Sequence, residues 1–170
     1  MPSRTLLSCL MLAVLTACMS TSPALGPDAS AWSNYRTWYK ATPEPETGDP
    51  TGFLGGVHDG TRAYRIVYVN SVGEAVNRGQ QSLPYPQGTI LLKESFNNQS
   101  DLSADRNPDL TVMVKLPQGS SPETGDWEYI RPDGARGTGS SGLAAFCRDC
   151  HLNAAAYDYN FINSRFYENR

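Results

Sequence analysis

GTILLKE, residues 88–94, is the stretch from which the fold of this chain is read. It follows Pro84-Tyr85-Pro86-Gln87-Gly88, turn chemistry that delivers a chain into a strand, and its apolar and β-branched side chains suit a pleated surface. Alternation puts Thr89, Leu91 and Lys93 on one face and Ile90 and Leu92 on the other. A lysine closing such a run is either an edge-strand charge reaching solvent or a group aimed at something on its own face. The stretch alone leaves both open.

Three runs of the same kind lie around it. Ala63 to Val69 precedes it, and Leu110 to Lys115 and Asp126 to Ile130 come after, joined by a turn over Pro117 to Gly125. Asp28 is placed to cap a helix carrying Trp32, Tyr35, Trp38 and Tyr39, with the aromatics largely on one face. Thr42 to Pro50 reads as a loop. A short helix capped by Asn70 or Ser71 ends near Gly79, and another begins near Leu143 with a further helical stretch behind it. Asn97 to Pro108 reads as polar loop, including the sequon-like Asn98-Gln99-Ser100, and Asp133 to Gly142 as a mobile Gly/Ser segment. The sum is an α+β domain built on an antiparallel sheet of at least four strands, with a few helices.

The ends of the chain carry different information. Arg4 precedes the apolar run Leu6 to Leu15, too short to span a bilayer permanently, so residues 1–17 read as an export signal. Leu15-Thr16-Ala17-Cys18 resembles the bacterial lipoprotein signal, in which the cysteine is acylated and becomes the mature N-terminus. Met19, rather than an aspartate, points to the outer membrane on the periplasmic side. Residues 18–27 then form a tether and 28–170 the domain. Losing Arg4 with the signal leaves 13 basic against 17 acidic residues, a mature net charge of −4. Basic residues are scattered without a stripe, so no nucleic-acid partner is expected, and membrane contact is expected through the lipid only.

With Cys9 removed and Cys18 lipidated, only Cys147 and Cys150 remain, which excludes a disulfide framework. Both sit in Cys147-Arg148-Asp149-Cys150-His151. Zinc would need ligands that the chain does not supply, His58 being the only other histidine. A thiol redox pair would expect a βαβ setting and has no use for His151. Two thiols at this spacing with an imidazole beside the second form the attachment motif of c-type haem, which is assembled after export. One haem c is expected, held covalently by Cys147 and Cys150 with His151 on the iron. Nineteen residues follow His151, none of them Met or His. A sixth ligand would come from upstream, from Met113, His58 or a lysine, so an open distal side is expected. The chemistry of that side decides between binding, reaction and electron transfer.

Taken with Tyr68-Val69-Asn70, Met113-Val114-Lys115, Gly125-Asp126-Trp127-Glu128-Tyr129 and the tail Ser164-Arg165-Phe166-Tyr167, the GTILLKE strand and the late Cys-x-x-Cys-His motif resemble the cytochrome P460 family, from about Trp32 to Tyr167. The resemblance implies a mainly antiparallel β domain, one c-type haem and often a homodimer. In P460 proper a strand lysine is bonded to the porphyrin edge and hydroxylamine is oxidised. The related cytochromes c′-beta lack the cross-link and bind nitric oxide. The cross-linking position falls on Lys93, and the implied partners are small nitrogen oxides and a periplasmic electron acceptor. One departure matters. Where hydroxylamine-oxidising members carry an acid over the distal iron, this chain has Thr111, whose hydroxyl can donate a hydrogen bond but cannot act as a base at neutral pH. Met113, on the face of Thr111, either lines the pocket or packs in the core. Trp127 and Tyr129 read as core or haem-edge packing, His58 as a surface residue, and Arg65 and Arg131 as propionate partners or solvated charges. Three functions stay open: a hydroxylamine-oxidising enzyme, a nitric-oxide binder without turnover, and a plain electron carrier.

Overall fold

A computed structural model describes residues 26–47, 62–139 and 141–168. The segment read as an export signal, Cys18, the tether expected up to residue 25, and His58 lie outside the described residues. No helix among the described residues is long and apolar enough to cross a membrane.

Six antiparallel strands form one sheet in sequence order: β1 (Tyr39–Lys40), β2 (Tyr64–Val69), β3 (Ile90–Phe96), β4 (Asp109–Lys115), β5 (Trp127–Ile130) and β6 (Arg136–Gly137). The four strands read from the sequence are its middle. Among the described residues, four short α-helices accompany them: α1 (Glu74–Asn77), α2 (Gln99–Ser103), α3 (Gly142–His151) and α4 (Ser164–Glu168). The architecture is thus the expected α+β domain.

Register explains why both faces are apolar. Val69, Leu91, Met113, Tyr129 and Gly137 succeed one another across the ladder, as do Val67, Lys93 and Thr111. All of these point to one face. The other face carries Ile66, Tyr68, Ile90, Leu92, Val112, Val114 and Ile130, a closed core against which Trp32, Tyr35 and Trp38 pack. Two buried carboxylates pin that face. Glu94 accepts from the Arg36 guanidinium at 2.7 Å and from the Tyr35 hydroxyl; Glu128 accepts from Arg136 at 2.6 Å and from the Gly26 amide at 2.9 Å. Charge-assisted bonds of this kind offset the loss of hydration that a buried carboxylate suffers.

Five local expectations are corrected. Asp28 does cap, accepting from Ser30 N at 2.9 Å, but the capped segment is a pair of 3-10 turns, Ala29–Trp32 and Tyr35–Thr37, and not one α-helix. Ser33 and Thr37 hydroxyls bond back to Ser30 and Asn34 carbonyls, local bonds that compete with helix propagation. Tyr39 consequently leaves the helical stretch, enters β1 and joins the opposite face from Trp32. The polar loop after Asn97 contains α2, because Asn98 accepts from Asp101 N at 2.9 Å and caps a turn. The Gly/Ser segment expected to be mobile holds β6, which pairs with β5 through Tyr129–Gly137 and Ile130–Arg136.

The helix expected to be capped by Asn70 or Ser71 starts later: α1 has Gly73 as its N-cap with no side-chain bond, while the Asn70 side chain accepts from Gly73 N and Ile90 N in the turn before it, and Gly79, at φ +73°, follows its C-terminus.

Candidate functional site

Helix α3 lies on β5 and β6 and brings Cys147-Arg148-Asp149-Cys150-His151 to the sheet. Cys147 and Cys150 are one helical turn apart, so both thiols sit on one side of α3. They are thiols rather than a disulfide, each partly buried. Cys147 packs into the cluster that holds Val67, Leu91, Met113, Trp127 and Tyr129. The helix therefore covers the face of the sheet that carries Lys93, and the sequence alone left that face undecided.

His151 ends α3. Its Nδ1 is 2.6 Å from the carbonyl oxygen of Tyr159. A carbonyl only accepts, so Nδ1 carries the proton and the Nε2 lone pair is left for a metal. The ring stands between Tyr129 and Phe161, with both centroids 5.3 Å away. Burial, with repulsion from Lys93 and opposed by the bond to Tyr159, lowers the imidazole pKa to about 4. Neutral imidazole is the form that ligates iron.

Lys93 lies across the ladder from Val67 on one side and Thr111 on the other. Its amine is pulled down to about 8, first by burial and then by repulsion from Arg65, while Cys150 and Cys147 act in the opposite sense. The same influence runs back: Lys93 opposes the upward push that burial gives the Cys147 thiol. Lysine, thiols and imidazole thus share one electrostatic neighbourhood.

The lining fits a haem. It supplies two thiols at the attachment spacing and an imidazole with a prepared Nε2. It also supplies an orphan: the Tyr129 hydroxyl is buried with no hydrogen-bond partner among the described residues. Burial, followed by the nearby thiols, pushes that phenol's pKa up, so it stays a neutral donor. A donor left unsatisfied beside Cys147 is what a pocket shaped around a group with its own acceptors would leave. Arg65, buried at 5% exposure, adds positive charge on the wall suited to carboxylates.

The remaining candidates fall into place around this lining. Thr111 and Met113 both sit on the face covered by α3, Thr111 paired with Lys93 and Met113 between Leu91 and Tyr129. Met113 packs against the cluster that includes Cys147. Trp127 and Tyr129 share this face, Trp127 as fully buried core. Arg131 pairs with Asp133 at 3.1 Å, both half exposed. Sequence reasoning missed the supports of His151: Tyr159, Asp158 and Lys115. The polar groove lined by Tyr39, Asn77, Arg78 and Ser164 includes none of the site residues.

A family model described as Cytochrome P460 matches residues 32–162 of the chain. No curated protein matches it.

Proposed function

The chain belongs to the cytochrome P460 family, c-type haem proteins that bind nitrogen oxides, and we propose that it is an exported, lipid-anchored, mono-haem member that takes hydroxylamine or nitric oxide at an open distal site. The observation that carries this reading is the shared face: α3, with both thiols and a neutral His151, covers the side of β3 from which Lys93 projects.

In this reading haem supplies an iron that coordinates a small nitrogen oxide and exchanges electrons with it. Everything else falls to the chain. Cys147 and Cys150 would hold the porphyrin through their thiols, and His151 would offer Nε2 to the iron. Lys93 would present its amine to the same group. Thr111 and Tyr129 offer hydroxyl donors, and apolar Leu91, Val67 and Met113 exclude water. Electrons from hydroxylamine would leave to a periplasmic acceptor.

The test is the reduced absorption spectrum of protein matured in a haem-c-competent periplasm, beside a Lys93→Arg variant. A red-shifted, broadened Soret band that reverts in the variant establishes the cross-link. Ordinary c-type spectra in both remove Lys93 from the reading, and failure to attach haem covalently refutes it altogether.

Thr111 favours a second reading. With no carboxylate opposite Lys93 to take protons from the substrate, the protein captures nitric oxide without turnover. Hydroxylamine-dependent reduction of an added acceptor separates the two. A plain electron carrier would need Met113 or another strong sixth ligand, and ferrous protein that binds carbon monoxide without displacing one excludes it.

A further inference from the structure

The Tyr159 carbonyl that holds His151 sits in an unusual piece of backbone. Asp158 and Tyr159 are consecutive left-handed residues, at φ 55° and 61°. An aspartate tolerates that region; a tyrosine is an outlier there, and such a conformation persists only where its surroundings over-determine it.

The surroundings are specific. Lys115 Nζ donates to both carboxylate oxygens of Asp158, at 2.6 and 2.8 Å, and to the Gly125 carbonyl at 2.7 Å. Both side chains of this pair are 8% exposed. The Tyr85 amide donates to Asp158 Oδ2 at 2.7 Å, and Trp127 Nε1 donates to the Asp158 carbonyl at 2.9 Å. The Tyr159 ring lies so close over Gly125 that a Cβ there would stand 2.4 Å from it. A pair serving only to fasten the C-terminal segment would not need a second residue locked in the left-handed region with its carbonyl aimed at an imidazole.

We propose that the buried Lys115–Asp158 pair is a positioning device for His151: it fixes the Asp158–Tyr159 turn, so that the Tyr159 carbonyl stays on Nδ1 and sets the electron density that Nε2 presents to the iron. The inference rests on His151 being the iron ligand. Neither Lys115 nor Asp158 touches the haem in this scheme. Each acts through the backbone and the histidine, the way supporting shells tune metal ligands.

Holo protein is compared with Asp158→Asn, which keeps a left-handed-tolerant side chain, and with Lys115→Met. The control is Glu128→Gln, which breaks the buried Arg136 pair on the opposite face. Two quantities are read: the iron–histidine stretch of the ferrous protein by resonance Raman, and the haem midpoint potential. A weakened bond at Nδ1 makes the imidazole a poorer donor. Both site variants should lower the stretching frequency and raise the potential, by roughly tenfold in the ferric-to-ferrous equilibrium, about 59 mV for one electron. The control should lose thermal stability and move neither readout. Loss of stability in the site variants with unmoved stretch and potential overturns the proposal. So does wild-type protein whose stretch already has the low frequency of an unbonded histidine, a measurement that needs no variant to fold. If His151→Ala leaves the wild-type spectrum intact, the ligand assignment fails instead.

Discussion

If Lys93 bonds to the porphyrin edge, it must do so as a free amine, and its burial decides how much free amine there is. The ordinary lysine value of 10.5 falls to about 8 in the folded chain. At pH 7 a lysine at 10.5 is neutral about once in 3,000 molecules, whereas one at 8 is neutral about once in ten, a gain of roughly 300-fold in reactive form. Burial and the nearby Arg65 guanidinium both act in this direction. Cross-link formation should therefore climb with pH, by about 50-fold between pH 6 and pH 8, and level off above. The assay is oxidative maturation of the haem-loaded precursor at fixed pH, quenched at intervals and followed by the reduced Soret band. Arg65→Gln removes the repulsion and should shift the midpoint upward. A rate flat or falling from pH 6 to 8, or a midpoint indifferent to Arg65, would refute the reasoning.

Three other outcomes are expected from the same geometry. In protein without the cross-link, Lys93→Met should be more stable at pH 7 by up to about 3 kcal/mol. The folded-state pKa lies below the unfolded one, so the penalty of the half-buried ammonium is complete below about 8 and vanishes above 10.5; denaturant midpoints of both proteins should converge over that window. Leu92→Ala, at a position with no exposure in the closed core, should cost about 2–5 kcal/mol in chemical denaturation, yet leave the reduced spectrum unchanged, because Leu92 faces away from α3. Thr111→Glu places a carboxylate across the ladder from Lys93 and should raise hydroxylamine oxidation by about 10²–10⁴-fold; steady-state turnover no higher than wild type would mean that proton removal is not what limits this site.

The middle of the sheet was legible because β2 to β5 are long enough for alternation to show which residues share a face. β1 and β6 are two residues each, and two residues cannot display a period. Their pairing comes from neighbours, not from their own side chains. The N-terminal aromatics had helical spacing, but hydroxyl-to-carbonyl bonds at Ser33 and Thr37 redirected the backbone into tighter turns. At the site, helical spacing places Cys147 and Cys150 on one side of α3, and strand alternation places Lys93 on one face with Leu91; both arrangements could be read from residue order alone. The partner of His151 could not. Tyr159 contributes a carbonyl oxygen that any residue would bring, and only its left-handed backbone, held from four directions, makes it particular. Lys115 left a trace, a charge closing an apolar strand, but nothing in the sequence joins it to Asp158, 43 residues later.

The two-sided ladder also bears on how such a protein can change. Along β3, even-numbered residues from Ile90 to Phe96 are sealed into one core, while Leu91 and Lys93 look toward α3. Substitutions on the odd-numbered side meet chemistry; those on the even-numbered side meet stability. Selection can therefore act on the two almost independently. A lineage holding the sealed side constant could exchange Lys93 or Thr111 and pass between cross-linked and open haem, or between catalyst and gas trap, while the scaffold stays folded at every step.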